Sequence, residues 1–319
     1  MIIARFRGER GTLFGDYRIF VREMYGMCIS GVNQCERRFF DMNGNLVGIA
    51  CENNGANMMV EWGTRLSDII RMLPEYDILL AIFSRPIDKE IIDAGKKLKL
   101  ISNYGVGYNN IDIQYARKKG ITVCNTPESV CDPTAELCMA LLLGIARRIG
   151  EFDRRIRTER EGMWGVMKNL GYGLRGKTLG IIGMGHIGQN VACKAAAFGM
   201  NILYYNRKTE VPGYKKTDLD SLLKESDFIS IHTPLTEATH HLIGERELGL
   251  MKKTAFLINT ARGAVIDEEV LSRFLEKRQI AGAALDVFER EPHITELLYS
   301  LDNVIFVPHI GTATYDGRI

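Results

Sequence analysis

Short apolar runs alternate with amphipathic stretches along the chain from residue 178 onward. The apolar runs are TLGIIG, NILYY, FISIH, AFLIN, AGAALDV and VIFVP, and helical patterns begin near His186, Leu219, Glu245 and Asp267 between them. Regular alternation of strand and helix patterns is typical of βαβ units in a parallel sheet. We therefore predict a doubly wound α/β domain in this part of the chain.

A smaller set of the same kind lies upstream, between residues 64 and 125. The helical patterns RLSDIIRML, DKEIIDAGKKL and IQYARKKG alternate there with the apolar runs DILLAIF, LIS and ITVCN. Because 319 residues exceed what one hydrophobic core usually spans, we expect two domains. We place the smaller domain at 1–125, the larger one at 126–308, and a short tail at 309–319.

One long helix is predicted where the two domains join. Asp132 can serve as its N-cap with Pro133 at the first helical position, and the pattern continues through TAELCMALLLGIARRIGEFDRRI. Its start is apolar on nearly all sides, so we expect it to be buried between domains or subunits. Residues 159–177 then predict an extended, glycine-rich loop.

The composition of the chain limits the kinds of molecule that it can bind. The 41 Lys and Arg residues nearly balance the 39 Asp and Glu residues, which argues against a nucleic-acid or membrane-surface partner. The seven cysteines form no C-x-x-C pair, which indicates reduced thiols. The N-terminus MIIARFRGERG carries charge too early for a signal peptide, and the run LCMALLLGIA is too short to span a bilayer. We expect a cytoplasmic protein with a small-molecule substrate, and no metal site.

Three glycines, Gly183, Gly185 and Gly188, follow the first apolar run of the larger domain in the pattern G-x-G-x-x-G. In a Rossmann sheet these glycines permit a tight turn, leave room for a pyrophosphate and let the helix pack on the strand. The helix that follows offers free N–H groups at His186 and Ile187 to the phosphates. A tight turn without a ligand is the alternative, but the position between first strand and first helix favours a dinucleotide site.

Polar side chains stand just beyond three later strands. The stretches INTARGAVID, LDVFEREP and VPHIGTAT place Arg262, Glu291 and His309 where open parallel sheets hold their ligands. Histidine can give and take a proton at neutral pH, and a guanidinium binds a carboxylate through two parallel hydrogen bonds. Each residue alone is more typical of a surface pair, an acidic cluster or a loop cap, but together they indicate one site.

Long motifs run in order from about residue 78 to residue 314. They include SNYGVGYNNID, NTPESVCDPTAEL, GKTLGIIGMGHIGQ, HTPLT, LMKKTAFLINTARGAVID, GAALDVFEREP and NVIFVPHIG. On these motifs the chain resembles the D-isomer-specific 2-hydroxyacid dehydrogenases, most nearly the glyoxylate/hydroxypyruvate reductases. The resemblance implies NAD(P)H-dependent reduction of a small 2-oxo acid to the D-2-hydroxy acid. It also implies a Rossmann domain at 126–308 and a flavodoxin-like α/β substrate domain at 1–125.

The resemblance implies roles for individual residues. His309 is the acid that protonates the substrate carbonyl, Glu291 keeps that imidazole charged and oriented, and Arg262 holds the substrate. The N–H groups of Val106 and Gly107 bind the substrate carboxylate. The further residues expected to bind the cofactor are Thr233, Pro234, Thr260, Ala261 and Asp286, of which Asp286 bonds the nicotinamide amide.

The end of the second strand bears on the choice of cofactor. That strand ends in Asn206, followed by Arg207 and Lys208. NAD-specific Rossmann domains place Asp or Glu there, and a carboxylate repels the 2′-phosphate of NADP. A neutral amide with two cations behind it can bind that phosphate, so we predict a preference for NADP(H), while NAD(H) stays an option. The alternative is that both cations are solvated loop charges.

Two departures from the family pattern limit these expectations. Residues 1–74 lack the expected opening strand and helix, and RRFFDMNGNLVGIA predicts a β-hairpin around Asn43-Gly44 instead. The sequence ends ten residues after His309, where relatives continue with a helix, so we expect reduced stability. Alternatives to a reductase are a nucleotide-sensing binding protein like the family's corepressors, and a truncated inactive member. If residues 130–175 form an arm as in relatives, the chain is a homodimer.

Overall fold

The chain folds into two compact units, each with its own sheet. The first comprises Met1–Val130 with Ala313–Ile319, and the second comprises Cys131–Thr312. The domain limits at 125/126 and 308/309 stay predictions. A computed structural model describes residues 2–6, 37–40, 46–53, 56–61, 66–81, 86–103, 105–126, 130–160 and 164–315.

The first unit holds a mixed seven-stranded sheet in the order β2-β3-β4-β1-β5-β6-β7. Its strands are β1 (Ile2–Phe6), β2 (Arg37–Phe40), β3 (Leu46–Asn53), β4 (Ala56–Glu61), β5 (Ile78–Ala81), β6 (Leu100–Asn103) and β7 (Thr122–Cys124), and its helices are α1 (Leu66–Met72), α2 (Lys89–Ala94) and α3 (Ile113–Lys118). Strands β5 to β7 are parallel and alternate with α2 and α3, which confirms the pattern predicted for 64–125. Apolar residues of these elements, such as Ile69, Leu79, Ile91 and Ile101, form one buried core.

Antiparallel strands extend this sheet on one side. Strand β2 pairs with β3, with Arg37 opposite Ala50 and Phe40 opposite Leu46, as the predicted hairpin requires. The turn predicted at Asn43-Gly44 lies outside the described residues. Strands β3 and β4 are separated by only two residues, and so short a connection permits only an antiparallel pair.

The second unit is an α/β unit with a fully parallel seven-stranded sheet in the order β10-β9-β8-β11-β12-β13-β14. Its strands are β8 (Thr178–Ile182), β9 (Asn201–Tyr205), β10 (Lys215–Lys216), β11 (Phe228–Ile231), β12 (Phe256–Asn259), β13 (Gly282–Leu285) and β14 (Val304–Phe306). Its helices are α4 (Cys131–Ala146), α5 (Ile149–Glu159), α6 (His186–Ala197), α7 (Leu219–Glu225), α8 (Glu245–Leu250), α9 (Glu268–Glu276) and α10 (Glu296–Tyr299). The predicted alternation of strands and helices is confirmed throughout.

The order of the strands creates a crevice at the carboxyl edge of this sheet. The chain runs outward from β8 through β9 to β10 and then returns to place β11 on the other side of β8. Parallel sheets bind ligands at such a reversal point. Apolar clusters cover both faces, with Ile182 and Ile229 in one cluster and Leu179 and Ile181 in the other. Burial on both faces explains why these strands are continuous apolar runs rather than alternating ones.

The single long helix predicted from the sequence is wrong, because the structure contains two helices, α4 and α5. The break falls at Arg148, whose φ of 57° is left-handed and cannot continue a right-handed helix. The carbonyl of Ala146, released at the break, accepts the N–H of Tyr172 at 2.8 Å. Helix α4 begins at Cys131, so Asp132 lies in the first turn, and its carboxylate contacts Lys194 Nζ at 2.7 Å.

The apolar face of α4 is buried within the second unit, where Cys138 and Leu142 join the core cluster beside β8 and β12. The described part of 159–177 forms neither helix nor strand after Glu159, as predicted, and most of it is exposed. No helix among the described residues has the length and apolar character that crossing a membrane requires.

Candidate active site

The glycine turn after β8 has the geometry that a bound phosphate needs. Gly183 has φ +98°, and a Cβ there would lie 2.7 Å from the carbonyl carbon of His232. A Cβ on Gly188 would lie 2.3 Å from the carbonyl oxygen of Gly183. A Cβ on Gly185, in contrast, would meet nothing within 4 Å, because this residue faces open space. Two glycines therefore serve the packing of the turn, and the third leaves its outer side free for a ligand.

Helix α6 presents free donors beside this open side. The first hydrogen bond along the helix runs from the N–H of Gln189 to the carbonyl of Gly185 at 2.9 Å. Among the described residues, the N–H groups of His186, Ile187 and Gly188 donate to no acceptor. Three unpaired amides at the positive end of a helix dipole suit a pyrophosphate. The residues present therefore fit the dinucleotide that the fold implies.

Asn206, at the end of β9, reaches back to the glycine turn. Its side-chain Oδ1 accepts the N–H of Met184 at 2.7 Å, which leaves the two Nδ2 hydrogens free for other acceptors. Arg207 and Lys208 follow it and are exposed, and neither forms an ion pair within the described part of the chain. The structure thus brings Asn206 into contact with the turn proposed to hold the pyrophosphate, and Arg207 and Lys208 follow it along the chain.

His309 and Glu291 form a hydrogen-bonded pair at the carboxyl edge of β13 and β14. The Nδ1 atom of His309 lies 2.9 Å from Oε2 of Glu291, and Oε1 of Glu291 accepts the N–H of Phe288 at 3.1 Å. Burial opposes ionisation of Glu291, but the hydrogen bond and charge of His309 outweigh it and hold the pKa of Glu291 below its usual value. The His309 side chain is 40% exposed, so its other ring nitrogen can reach a ligand.

Asp286 fixes the backbone of the loop that carries His309. Its carboxylate accepts the N–H of Ile310 at 2.6 Å and that of Gly311 at 2.9 Å, while its carbonyl accepts the N–H of His309 at 2.9 Å. Burial raises the pKa of Asp286 to about 6, against the two N–H groups and the charge of His309. The contact with a nicotinamide amide stays a prediction, whereas its contact with the histidine loop is direct.

Arg262 stands on a tight loop between β12 and α9. The side chain of Asn259 braces this loop, because its Nδ2 donates to the carbonyl of Arg262 at 2.9 Å and its Oδ1 accepts the N–H of Ala261 at 3.0 Å. A Cβ on Gly263 would lie 1.9 Å from the carbonyl carbon of Phe288, so the loop packs directly on the segment leading to Glu291. Burial lowers the pKa of Arg262, and the negative charge of Glu291 opposes that shift.

Val106 and Gly107 lie in the first unit, after β6. Asn103 Nδ2 donates to the carbonyl of Gly107 at 2.9 Å, and Asn125 Nδ2 donates to the carbonyl of Val106 at 2.9 Å. Within the described residues, the N–H groups of Val106 and Gly107 donate to no acceptor. Carbonyls held in this way leave two amides available for an anion.

The remaining predicted contacts also follow strands. Thr233 and Pro234 come after β11, and Thr239 Oγ1 donates to the carbonyl of Pro234 at 2.6 Å. Thr260 and Ala261 come after β12, and the buried hydroxyl of Thr260 has no partner among the described residues. The structure brings these residues to the carboxyl edge that also carries Arg262, Glu291 and His309.

The sequence analysis missed the asparagines that shape these loops. Asn103 and Asn259 are the last residues of β6 and β12, and Asn125 directly follows β7. The sequence signal for this role is an asparagine at the carboxyl end of a buried strand, because its side-chain amide can both donate to and accept from the backbone of the loop that follows. A buried contact behind β11 was also missed, in which Ser230 Oγ lies 2.6 Å from His232 Nε2 and 3.1 Å from Cys138 Sγ.

A glycine turn at the reversal point of a parallel sheet, with a histidine–carboxylate pair on the same edge, defines a nicotinamide-dependent dehydrogenase. Comparison with known proteins supports this class. Residues 139–311 match the model of the D-isomer specific 2-hydroxyacid dehydrogenase, NAD binding domain. A glyoxylate reductase of Thermococcus litoralis is 50% identical over 259 residues, which cover 78% of each chain.

Solved structures agree. A glyoxylate reductase from Paecilomyes thermophila aligns with a TM-score of 0.74 at 37% identity, covering 81% of this chain and 82% of that one. An NADPH-dependent glyoxylate/hydroxypyruvate reductase from Sinorhizobium meliloti, in complex with NADP and malonate, aligns with a TM-score of 0.71 at 31% identity, covering 77% of each chain. The chain belongs to the D-isomer-specific 2-hydroxyacid dehydrogenase family, which confirms the resemblance. It is an oxidoreductase that uses a nicotinamide cofactor and reduces 2-oxo acids.

Proposed function

We propose that this chain reduces glyoxylate and hydroxypyruvate to their 2-hydroxy acids with NADPH as the preferred reductant. The hydrogen bond of 2.9 Å between His309 Nδ1 and Glu291 Oε2 carries the proposal. A carboxylate that stays ionised beside an imidazole favours the charged ring and fixes its orientation. That arrangement places an oriented imidazole on the edge of the sheet where ligands bind.

In the proposed mechanism, His309 donates the proton from Nε2 to the carbonyl oxygen of the substrate. Glu291 stabilises the imidazolium before the transfer, and general acid catalysis of this kind contributes about 10² to 10⁴ in rate. When bound, a reduced nicotinamide supplies the hydride. Asp286 keeps the histidine loop in place through the N–H groups of Ile310 and Gly311.

Substrate binding is assigned to one cation and two amides. Arg262 can bind the carboxylate and carbonyl oxygens of a 2-oxo acid through paired donors, and it keeps its charge throughout. The free N–H groups of Val106 and Gly107 are suited to the substrate carboxylate. A small substrate with a carboxylate beside a carbonyl matches the paired donors of Arg262, which supports a short 2-oxo acid.

The test of this function is a turnover assay. Oxidation of NADPH and of NADH is followed spectrophotometrically with glyoxylate, hydroxypyruvate, pyruvate, phosphohydroxypyruvate and a branched 2-oxo acid. We expect the highest kcat/KM with glyoxylate or hydroxypyruvate. Higher kcat/KM with pyruvate or a branched acid would overturn the substrate assignment, and no turnover with any 2-oxo acid would overturn the mechanism.

The cofactor preference rests on Asn206, Arg207 and Lys208. An amide does not repel a 2′-phosphate, its free Nδ2 can donate to it, and the two exposed cations can bind it. The 2′-phosphate is remote from the reacting carbon, so the preference should appear in KM rather than in kcat. The double variant Asn206→Asp with Arg207→Ile should reverse it, and Lys224→Ile, which removes another exposed cation, should leave it unchanged. A higher kcat/KM with NADH for the unaltered chain would contradict this part alone.

A further inference from the structure

A cluster of possible metal ligands lies outside the proposed catalytic residues. His240 and His241 follow β11, and Glu289 follows β13. One ligand atom from each of the three lies within 4.8 Å of the other two. His241 Nε2 is already 2.9 Å from Glu289 Oε1, and the two imidazole rings stack with their centroids 4.0 Å apart. The mechanism makes no use of any of these side chains.

The spacing of the donors is close to that around a bound metal. Ligand atoms at about 2.0–2.1 Å from a tetrahedral ion lie about 3.3 Å from one another. The Nε2–Oε1 separation is already close to that distance, but the Nε2–H of His241 points at Oε1, so this ring must turn and lose that hydrogen for both atoms to face one ion. His240 is exposed, so its imidazole can turn about its side-chain bonds to bring a nitrogen into range. Binding therefore requires both histidine side chains to rotate.

Two further contacts orient the ligands from behind. Glu289 Oε2, the oxygen that faces away from His241, accepts the N–H of Glu268 at 3.3 Å. On the other side of its ring, His241 Nδ1 faces Asp267 Oδ2 at 3.8 Å. A carboxylate behind the ring is the kind of group that supports metal-binding histidines through their second nitrogen. At 3.8 Å this contact is longer than a hydrogen bond, so the rotation of His241 that metal binding requires must also bring Nδ1 closer to Asp267.

We propose that His240, His241 and Glu289 bind one divalent transition-metal ion, of which Zn²⁺ is the representative. Two imidazoles and one carboxylate are ligands typical of zinc, whereas Mg²⁺ and Ca²⁺ require mostly oxygen ligands. The fourth position is left to water. This proposal departs from the sequence-based expectation that the chain has no metal site.

Such an ion would connect two loops that lie next to the segments carrying the proposed catalytic residues. The ligands come from the connections after β11 and β13, and the supporting Asp267 caps helix α9 after β12 by accepting the N–H of Val270 at 3.0 Å. Glu289 lies two residues before Glu291, on the same connection. The bound ion would therefore restrain the segments on either side of the Arg262 loop and act on stability without touching substrate.

The experiment uses untagged full-length protein freed of metal with EDTA. Isothermal titration with ZnCl₂ should show one ion bound per chain, and thermal unfolding in Zn²⁺ at about 100 times Kd should show a rise of roughly 5 °C in Tm. His240→Ala, which alters only an exposed side chain, should abolish both effects, and Glu289→Gln should weaken binding at least tenfold. His293→Ala, another exposed histidine, is the matched control and should bind as the unaltered chain does.

Two further measurements test whether a cysteine, rather than the proposed cluster, binds the ion. Cys193 is exposed and is a competing ligand, so Cys193→Ser should bind Zn²⁺ unchanged, and Co²⁺ should give a spectrum without thiolate bands. Undiminished Zn²⁺ binding and stabilisation in His240→Ala would overturn the proposal. So would thiolate bands with Co²⁺, or the absence of a Tm rise in the unaltered protein.

Discussion

The surroundings of two carboxyl groups near His309 shift their pKa values in opposite directions. Glu291 is half-buried but is paired with the imidazole, so its pKa lies below the usual value. Asp286 is 1% exposed, and burial raises its pKa to about 6. Neighbouring acids with separated pKa values are typical of catalytic sites. One carboxylate can therefore act as a fixed charge while the other holds a loop.

Replacement of Glu291 tests the role proposed for its negative charge beside the imidazole of His309. Glu291→Gln keeps the size of the side chain but removes the negative charge that favours imidazolium, so the alkaline limb of the pH profile for reduction should move to lower pH. At neutral pH kcat/KM should fall by about tenfold to a hundredfold. The profile is measured as kcat/KM from pH 5 to pH 9, with Glu296→Gln, an exposed acid on α10, as the matched control. An alkaline limb at the same pH in both variants would remove Glu291 from its assigned role.

Replacement of Asp286 tests the loop anchor. Because the pKa of Asp286 is raised from 3.8 to about 6, the folded chain binds a proton on this carboxyl group more tightly than the unfolded chain does. The stability that this bound proton contributes is lost as the pH rises from about 4 through about 6. Asp286→Asn cannot ionise, so the Tm of the unaltered chain relative to that of the variant should fall across this interval. The amide also sets an N–H donor against Ile310 or Gly311, so activity should fall about tenfold or more. A constant Tm difference from pH 4 to pH 7 would contradict the assignment.

At the scale of elements, the sequence predicted what local pattern controls. The strands and helices predicted after residue 178 follow from alternating apolar and amphipathic runs, and all were found. The short elements β10 and α10 were not predicted. The break between α4 and α5 was not predicted, because it depends on one left-handed residue, Arg148, and on the distant N–H of Tyr172. Strand pairing in the first unit was only partly predicted, because β1 finds its partners β4 and β5 far along the chain.

The same division applies to the candidate site. Arg262, Glu291 and His309 could be named from the sequence because each follows a strand within a recognisable motif. The roles of Asn103, Asn125 and Asn259 could not be named, because a strand-end amide acts through backbone groups whose positions exist only in the folded loop. The cluster of His240, His241 and Glu289 was missed for a related reason, since Glu289 stands 48 positions after His241 along the chain.

The contact between the Arg262 loop and the segment after β13 gives an element-scale prediction. Gly263→Ala would place a Cβ 1.9 Å from the carbonyl carbon of Phe288. Because the backbone of one of the two segments would have to move to relieve this clash, we expect the free energy of unfolding to fall by about 3 kcal/mol or more. Gly249→Ala in α8 is the control, because a Cβ there meets nothing within 4 Å and the helix should gain up to about 1 kcal/mol. Urea unfolding of the two variants measures the difference. Equal stability would mean that the two loops are less tightly packed than the structure indicates.

At the scale of the whole molecule, large apolar side chains are exposed along one stretch of the second unit. Trp164 is 89% exposed, Val166 95% and Met167 78%, and Ile149, Ile156 and Leu170 are each more than half exposed. Exposed apolar residues in such concentration are typical of surfaces that bind another protein. The near balance of charge offers little repulsion between copies. We therefore propose that the described residues of this stretch, 149–160 and 164–172, form the contact of a homodimer.

The dimer is tested by changing that stretch. Trp164→Glu together with Val166→Glu would place four charges, two from each copy, against an apolar surface, so the chain should become monomeric in sedimentation velocity. Tyr315→Glu, which alters an exposed aromatic residue of the first unit, should leave the mass unchanged. A monomer for the unaltered chain at micromolar concentration, or a dimer that persists in the double variant, would contradict this interface.

The bond from Met184 N–H to Asn206 Oδ1 has a consequence for how the protein can evolve. One side chain holds the glycine turn and is also the one proposed to meet the ribose end of the cofactor, so most substitutions at this position would release the turn. Aspartate is an exception, because it keeps an oxygen in the same place and changes only the charge. Codons for asparagine and aspartate differ by a single base. A single base change can therefore introduce a carboxylate at position 206 while the turn keeps its hydrogen bond, whereas a route through alanine or serine loses that bond first.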